Sequence, residues 1–356
     1  MIIQSIELNN FRNYENLQIS FDEGTNILFG DNAQGKTNIL EAAYLSGTTK
    51  SHKGSKDKEM IRFGTNEAHL RTMDLKHNRS KGIAVNKIPM KKASELFGIL
   101  NIVFFSPEDL NIIKNGPSER RHFLDAELCQ LDKIYLSDLS NYNKILNQRN
   151  KLLKDMVYRP ELSDTLPVWD MQLIDTGKKI IRRREQFVKE LNEIVHEIHY
   201  RISGGREELF LSYEPSVSAD LLEQELERVK PRDLKQCQTS VGPHRDDLLF
   251  SIAGVDIRKF GSQGQQRTSA LSLKLSEIEL VRKSIHDTPV LLLDDVLSEL
   301  DSNRQNYLLN SICDTQTIIT CTGLDEFIRN RFEINKVFEV ISGQVFEKGQ
   351  VIERQG

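Results

Sequence analysis

The fold is decided by Gly30-Asp31-Asn32-Ala33-Gln34-Gly35-Lys36-Thr37, which matches the phosphate-loop pattern G-x-x-x-x-G-K-[ST] in full. An apolar run at 25–29 precedes it and predicts a buried strand, and the apolar spacing of 38–45 predicts a helix. Strand, loop and helix therefore follow in the order that a phosphate loop requires. We expect residues 30–37 to bind a nucleotide polyphosphate, with Lys36 on the β- and γ-phosphates and the Thr37 hydroxyl on Mg²⁺.

The composition is that of a globular protein: 38% of the 356 residues are hydrophobic and 28% are charged. The four cysteines form no C-x-x-C pair, which argues against a disulfide framework or a zinc site and fits a reducing cytosol. No export signal and no apolar run of about 18 residues is present, so we expect a cytoplasmic protein without a membrane span. The cysteines are Cys129, Cys237, Cys313 and Cys321.

The net charge of −4 argues against a protein that coats nucleic acid by bulk charge. Two local basic clusters nevertheless stand out. Each is either a solvated surface or a contact for DNA phosphates, and the second could also pack a helical stem through its aliphatic chains. The first cluster is Lys50, Lys53, Lys56 and Lys58, and the second is Lys178, Lys179, Arg182, Arg183 and Arg184.

The apolar period changes from strand-like to helical at residue 117 and back again after Ser203-Gly204-Gly205. We therefore predict an N-terminal part of an ATPase head at 1–116, a helical arm insertion at 117–204 and a C-terminal part of the head at 205–356. The insertion is predicted as an antiparallel helical hairpin, with two ordinary core helices as the alternative.

A second motif of P-loop ATPases follows at Leu291-Leu292-Leu293-Asp294, with Asp295 next. Two adjacent carboxylates at the end of a buried strand are costly unless a cation neutralises them. We predict that Asp294 holds Mg²⁺ together with Thr37, and that Asp295 polarises the attacking water as general base, with Lys36 assisting catalysis.

About 260 residues separate these two motifs, so the terminal parts must fold together around the helical segment. Such a split α/β head, with mixed sheets and an inserted α-helical arm, resembles the SMC-like branch of the ABC ATPases. Ser262, Gly264 and Gln265 match that branch's L-S-G-G-Q signature. The resemblance implies that these residues bind the γ-phosphate of ATP held by a second subunit.

Further segments resemble the RecF family of bacterial recombination mediators, and the resemblance spans nearly the whole chain. It implies an ATP-dependent homodimer on double-stranded and gapped DNA that recognises single-strand/double-strand junctions and works with RecR and RecO to load RecA. ATP and Mg²⁺ are the implied cofactors. The segments are Asp294-Asp295 with 296–301, Gly261–Arg267, Val241–Asp247, Ser106–Leu110 and Arg120–Asp125.

Several positions depart from the wider superfamily. The magnesium-contacting glutamine has no obvious match at Ser106-Pro107-Glu108-Asp109, and Cys321 and Thr322 stand where a switch histidine is expected. Asp295 is one methylene shorter than the usual glutamate, so we expect slow hydrolysis. Lys53 stands where the RecF resemblance implies an arginine, which would lose bidentate geometry on a phosphate.

Three other classes remain as alternatives. A transporter nucleotide-binding subunit would need the missing glutamine and histidine, and an OLD-type nuclease would need a further acidic metal-binding domain. A full SMC scaffold would need arms of hundreds of residues. An SMC-like or OLD-type ATPase acting on DNA in another pathway is the main alternative function. For His244 and Arg245, a buried structural role is favoured over DNA contact.

Overall fold

The computed structural model of the chain describes residues 1–48, 51–52, 57–74, 79–85, 100–312, 314–323 and 334–348. They divide into two compact units, one formed by Met1–Asp109 with the segment from Leu273 onward, the other by Leu110–Ser272. The strands are β1 Ile3–Phe11, β2 Tyr14–Ser20, β3 Thr25–Phe29, β4 Ala68–Asp74, β5 Arg79–Val85, β6 Ile102–Phe105, β7 Leu209–Glu214, β8 Asp247–Ile252, β9 Val255–Asp256, β10 Val290–Asp294, β11 Thr317–Cys321, β12 Ile334–Ile341 and β13 Gln344–Lys348. The α-helices are α1 Lys36–Thr48, α2 Leu110–Lys114, α3 Pro117–Leu131, α4 Lys133–Asp155, α5 Leu166–Ile202, α6 Leu222–Gln236, α7 Ile257–Phe260, α8 Gln263–Ile285 and α9 Ser302–Ser311.

The first unit contains two sheets. Within the described residues, the larger sheet has the strand order β13-β12-β3-β11-β10-β6, in which only the edge strand β13 is antiparallel to its neighbour. The other is antiparallel, in the order β2-β1-β4-β5. Helix α1 shares one hydrophobic core with both sheets. Its nearly all-round burial explains why it lacks a strongly polar face.

Parallel strands need apolar residues on both faces, and β10 and β11 provide them, with every residue buried except Asp294. The carboxyl ends of β3, β10 and β11 lie at one edge of the sheet because these strands are parallel neighbours. The phosphate loop follows β3 and the acidic pair Asp294-Asp295 ends β10. Ligands bind at this edge in open α/β sheets.

The second unit is built on the hairpin of α4 and α5, whose helices run antiparallel: Arg149 near the end of α4 contacts Asp170 near the start of α5, and Arg183 contacts Asp132 before α4. The predicted hairpin is therefore confirmed. Buried Arg149 also donates from Nη1 to Asp233 of α6 over 2.8 Å. A buried charge of this kind is stable only with such partners, so the three helices are held in one register.

The second unit does not end where the predicted insertion does. The boundaries predicted at 117 and 204 differ from the observed Leu110 and Ser272. The reason is tertiary: β7 packs along α5, the Leu211 amide donates to the Asn192 side chain over 2.7 Å, and β7 pairs with β8, which pairs with β9, in an antiparallel sheet. The signature segment therefore lies in the second unit. Helix α8 begins there, and its later turns belong to the first unit.

In the part of the chain that the structure describes, no helix is both long enough and apolar enough to cross a bilayer. Of the first predicted basic cluster, only Lys58 lies within the described residues, and it is exposed; Lys50, Lys53 and Lys56 lie outside them.

Candidate nucleotide-binding site

The phosphate loop adopts a backbone that its glycines make possible. Gly30 has φ +148° and Gly35 has φ +112°, conformations that side-chain-bearing residues rarely adopt. A Cβ on Gly30 would also lie 2.4 Å from the Val340 carbonyl oxygen, a backbone atom of β12. Ala33 is left-handed as well, at φ +63°. The loop therefore turns tightly before α1 begins at Lys36. The N-terminus of α1 is then available to bind an anion.

Lys36 donates from Nζ to the carbonyl oxygens of Gly30 at 2.6 Å and Asp31 at 2.7 Å. Both acceptors are carbonyl groups of the phosphate loop, so the loop backbone holds the Lys36 ammonium group over the loop. A phosphate bound in the loop would lie close to this cation. Contact of this side chain with the β- and γ-phosphates stays a prediction.

Thr37 and Asp294 are adjacent although 257 positions separate them in sequence. The Thr37 hydroxyl donates to Asp294 Oδ1 over 2.9 Å, and the Thr320 hydroxyl donates to the same oxygen over 2.7 Å. Hydroxyl and carboxylate oxygens are the donors that Mg²⁺ takes, usually only one or two from protein and the rest from phosphates and water. The two residues fit the magnesium role predicted for them, and Mg²⁺ bound there would neutralise charge on the nucleotide phosphates.

Asp295 follows with a left-handed backbone, at φ +53°. Its amide donates to the Thr320 hydroxyl over 3.1 Å and points toward the Thr320 carbonyl at 3.3 Å. Ser298 donates from Oγ to the Asp295 carbonyl at 2.8 Å, which ties the segment after the acidic pair to it. Thr320 therefore contacts both members of the acidic pair.

These residues line one cavity of about 460 Å³ in the first unit, large enough for part of a nucleotide. Sequence reasoning did not assign His52 and Glu108, which also line it. The His52 ring stacks on Phe104 with centroids 4.1 Å apart. Glu108 follows β6, where the superfamily glutamine is expected. Its position after that strand was therefore the sequence signal that could have identified it as a residue of the cavity. Lining residues include Asn32, Ala33, Gly35, Lys36, Thr37, Asn38, His52, Ser106, Pro107, Glu108, Asp294, Asp295 and Thr320.

Two carboxyl groups support the walls of this cavity, that of the half-buried Asp109 and that of the buried Glu41. Burial raises the pKa of Asp109 to about 6, although Lys274 and the Ser106 amide oppose the shift; that amide donates to Asp109 Oδ2 over 2.7 Å and closes the turn carrying Glu108. Burial also acts to raise the pKa of Glu41, but hydrogen bonds from Arg12 and Ser51 outweigh it and lower the pKa. Glu41 thus stays ionised and anchors the residue that precedes His52.

Gln34 uses its polar groups away from the cavity. Its side-chain Oε1 accepts from the Ser342 amide, and its carbonyl accepts from the Gly343 amide at 3.2 Å and from Asn13 Nδ2 at 3.2 Å. Asn13 also accepts from Asn38 over 2.8 Å. The sequence places Gln34 among the predicted nucleotide-binding residues; its observed contacts instead fasten the loop to the β12–β13 turn and to the β1–β2 turn. Asp31 is exposed on the same loop.

The signature segment caps the N-terminus of α8 in the second unit. Ser262 Oγ accepts from the Gln265 amide at 3.2 Å, while Gln265 Oε1 accepts from the Ser262 amide at 2.9 Å. This reciprocal pair is a capping box. Gln265 Nε2 also donates to Glu207 over 2.9 Å, so the Gln265 side chain holds the helix start. Ser262 and Gly264 are exposed, and a Cβ on Gly264 would lie 3.8 Å from Ser262 Oγ.

The second basic cluster is largely neutralised. Arg184 is 2% exposed and donates to Asp125 over 2.8 Å and to the Pro243 carbonyl over 2.7 Å. The exposed neighbour Arg182 pairs with Asp220. The stem-packing interpretation therefore suits Arg184. His244 is half-buried, and its ring nitrogens lie 2.7 Å from the Tyr142 hydroxyl and 3.1 Å from the Thr239 carbonyl. The buried role expected for Arg245 is wrong, because its side chain is exposed and donates to the Thr239 carbonyl at 3.3 Å.

The architecture is that of an ABC-type ATPase head. The chain matches the RecF/RecN/SMC N terminal domain family over residues 2–344. It is 72% identical over 357 residues to the DNA replication and repair protein RecF of Agathobacter rectalis, covering 97% of this chain and 99% of the relative. It is 60% identical over 359 residues to the same-named protein of Lachnospira eligens, covering 97% and 99%.

Solved structures agree with this assignment. One, described as the recombination mediator protein RecF-ATP in the RecFOR pathway, is 35% identical with a TM-score of 0.87, covering 98% of this chain and 97% of its own. A Pyrococcus furiosus Smc head domain, 17% identical with a TM-score of 0.52, shares the fold; the match covers 98% of this chain and 96% of that one. The chain therefore belongs to the RecF/RecN/SMC N terminal domain family and, within it, to the RecF proteins.

Proposed function

We propose that this chain is an ATP-dependent DNA-binding protein of recombinational gap repair and replication restart. ATP binding with Mg²⁺ drives head-to-head dimerisation on duplex DNA near single-strand/double-strand junctions, and slow, DNA-dependent hydrolysis releases the dimer. With RecR and RecO it helps to load RecA. The relatives named DNA replication and repair protein RecF support the biological setting, and the RecF-ATP structures support ATP as the ligand.

One observation supports the dimer in particular: the signature helix presents an exposed, preorganised N-terminus. Ser262 and Gly264 are exposed, and the capping box fixes the first turn of α8 without covering its outer face. The N-terminus of this 23-residue helix favours an anion through its free amides and the helix dipole. A triphosphate bound at Lys36 and Thr37 of a partner copy is the anion that we assign to it.

The test is sedimentation velocity with and without ATP and Mg²⁺. Lys36→Met removes the ammonium group and should abolish nucleotide binding and dimerisation together. Ser262→Arg should leave ATP binding by the monomer within about twofold, since it lies outside the phosphate loop, but stop dimerisation because a bulky cation blocks the exposed cap. Ser262→Arg dimers at saturating ATP would refute the assignment of Ser262 to the partner's nucleotide.

A further inference from the structure

The segment immediately before the signature displays an exposed aromatic side chain on a backbone that hydrogen bonds hold in place. Phe260 ends α7 and its side chain is 74% exposed. The turn around it is held from three sides: Asp256 caps α7 by accepting from the Arg258 amide at 2.9 Å, the Gly261 amide donates to the Ile257 carbonyl at 3.0 Å, and Gln266 Nε2 donates to the same carbonyl at 2.9 Å.

The backbone of this turn tolerates little change. A Cβ on Gly261 would lie 2.5 Å from the Ile257 carbonyl oxygen, so glycine is required where α7 joins the signature. Ile257 is buried and anchors the turn in the second unit. A single exposed apolar side chain is common on protein surfaces. One carried by a fixed backbone is different, because burying it in an interface costs side-chain entropy but no ordering of the turn.

Its neighbours are cationic. Lys259 is exposed, with Asp256 as its ion-pair partner at 3.8 Å. Arg267, on the second turn of α8, is exposed and has no ion pair within 4.0 Å among the residues described by the structure. Lys259 is offset by Asp256, so Arg267 and the amides at the start of α8 supply the positive charge near Ser262. Such a surface is complementary to the triphosphate of a nucleotide.

We infer that Phe260 is an apolar anchor that packs against a second copy of this chain, beside the bound nucleotide of that copy. This inference rests on the proposed function, in which Ser262 faces the partner's triphosphate. Only two peptide units separate the Cα atoms of Phe260 and Ser262, which limits their separation to about 7 Å. A side chain this close to the assigned contact lies within the same interface. Because the dimer is two-fold symmetric, each interface contains the anchor twice.

The anchor also gives the interface an apolar component that the polyphosphate contact lacks. Aromatic residues are enriched among interface anchors. When interface residues are replaced by alanine one at a time, these few anchors cause most of the loss of binding affinity. Removing both rings by one substitution should therefore weaken the dimer about 10- to 100-fold. A tyrosine preserves the ring and should keep the dimer dissociation constant within about threefold of wild type.

The experiment measures the dimer dissociation constant by analytical ultracentrifugation with ATP and Mg²⁺, without DNA, for wild type, Phe260→Ala, Phe260→Tyr and Tyr158→Ala. Tyr158 is the matched control, an aromatic residue of the same unit that is 88% exposed. We expect a large loss for Phe260→Ala alone, with ATP binding by the monomer and the melting temperature unchanged.

Other outcomes overturn the inference in distinguishable ways. If wild type dimerises and Phe260→Ala dimerises equally well, the anchor is refuted and the proposed function stands. If wild type does not dimerise with ATP and Mg²⁺, either alone or with duplex DNA added, both are refuted. A Phe260→Ala variant that binds ATP more weakly as a monomer, or binds DNA more weakly without ATP, would place the ring against a different ligand.

Discussion

Thr320 is the residue that joins the acidic pair of the nucleotide site to the sheet, through the side chain of Asp294 and the backbone amide of Asp295. Its hydroxyl donates to Asp294 Oδ1 and accepts from the Asp295 amide. Thr320→Val keeps the shape and strand preference of the side chain but removes both hydrogen bonds. Hydrogen bonds to charged groups contribute about 1.5–3 kcal/mol. We expect ATP affinity in the presence of Mg²⁺ to fall about tenfold, and affinity without Mg²⁺ to change little.

Calorimetric titration with and without Mg²⁺ measures this difference. Thr317→Val is the matched control, because Thr317 is buried on the same strand and its hydroxyl donates to the Thr315 carbonyl instead. Equal losses in the two variants would mean that the effect comes from the strand and not from the orientation of Asp294.

His244 predicts a pH dependence of stability. Burial, aided by the nearby Arg245 and Arg121, lowers its pKa to about 4 against the hydrogen bond of the Thr239 carbonyl. The unfolded chain, with a pKa of about 6.5, takes up a proton as pH falls below 6.5, while the folded chain does not until about pH 4. The contribution of His244 to the free energy of unfolding is therefore fully present above pH 6.5, and it decreases as the pH falls from 6.5 toward 4.

Between pH 7 and pH 5 this single group should lower the free energy of unfolding by about 2 kcal/mol. Urea denaturation at the two pH values, compared between wild type and His244→Gln, isolates the effect, since other titrating groups cancel in the difference. His69→Gln, at an exposed strand position, should show the wild-type pH dependence. Parallel pH profiles for wild type and His244→Gln would contradict the prediction.

Among the elements, the β12–β13 hairpin acts on the phosphate loop from outside the nucleotide cavity. Its turn donates two amides, from Ser342 and Gly343, to Gln34. Gly343 has φ +76°, and a Cβ there would lie 3.2 Å from Asn13 Nδ2, which also holds Gln34. Gly343→Ala should cost about 1 kcal/mol of stability for the left-handed backbone and loosen the loop, so ATP affinity should fall about three- to tenfold.

The control has the same backbone angle in the β8–β9 turn of the second unit. Gly254 has φ +76°, and a Cβ added there would meet no atom of the described residues within 4 Å. Gly254→Ala should lower the free energy of unfolding by a similar amount and leave ATP affinity unchanged. If both variants bind ATP like wild type, the hairpin does not position the loop.

At the same scale, the sequence predicts elements better than their connections. The phosphate loop, the strand ending at Asp294 and the helical hairpin are recognisable because local pattern determines them. The contacts of Gln34 are not, because they depend on a turn 308 positions away in sequence. His52 escapes sequence reasoning for the same reason, because tertiary packing brings it to the cavity, whereas Glu108 could have been found from its position after β6.

Domain limits are similarly beyond local pattern. The predicted insertion ends at the glycines near 204, which is a real end of helix α5. The compact unit continues to Ser272 because β7 packs back along α5. A turn signal marks the end of an element, whereas a domain ends where its buried surface ends.

For the whole molecule, the charge distribution predicts how the proposed DNA binding responds to salt. The net charge is −4, so attraction to DNA must come from local cations that contact phosphates. Each phosphate contact adds about 0.9 to the slope of log affinity against log salt. With about four contacts, affinity for gapped duplex should fall about 100-fold between about 50 and 200 mM salt.

Fluorescence anisotropy across a salt series measures the slope. A dimer presents two copies of the same surface, so Ser262→Arg, expected to stay monomeric with ATP, should show about half the wild-type slope. A flat dependence in both proteins would exclude phosphate contacts as the basis of binding.

The left-handed backbone at Asp295 also limits how the site could be engineered. Aspartate and asparagine are among the residues that occupy φ values near +53° most readily, whereas a longer side chain is less readily accommodated there. A designer who wanted a faster ATPase would first try glutamate at this position, for its extra methylene. The main chain opposes that exchange, so higher turnover would require rebuilding the turn between Asp294 and Ser298. Selection for speed would therefore have to change the conformation of the backbone before it could lengthen the side chain at position 295.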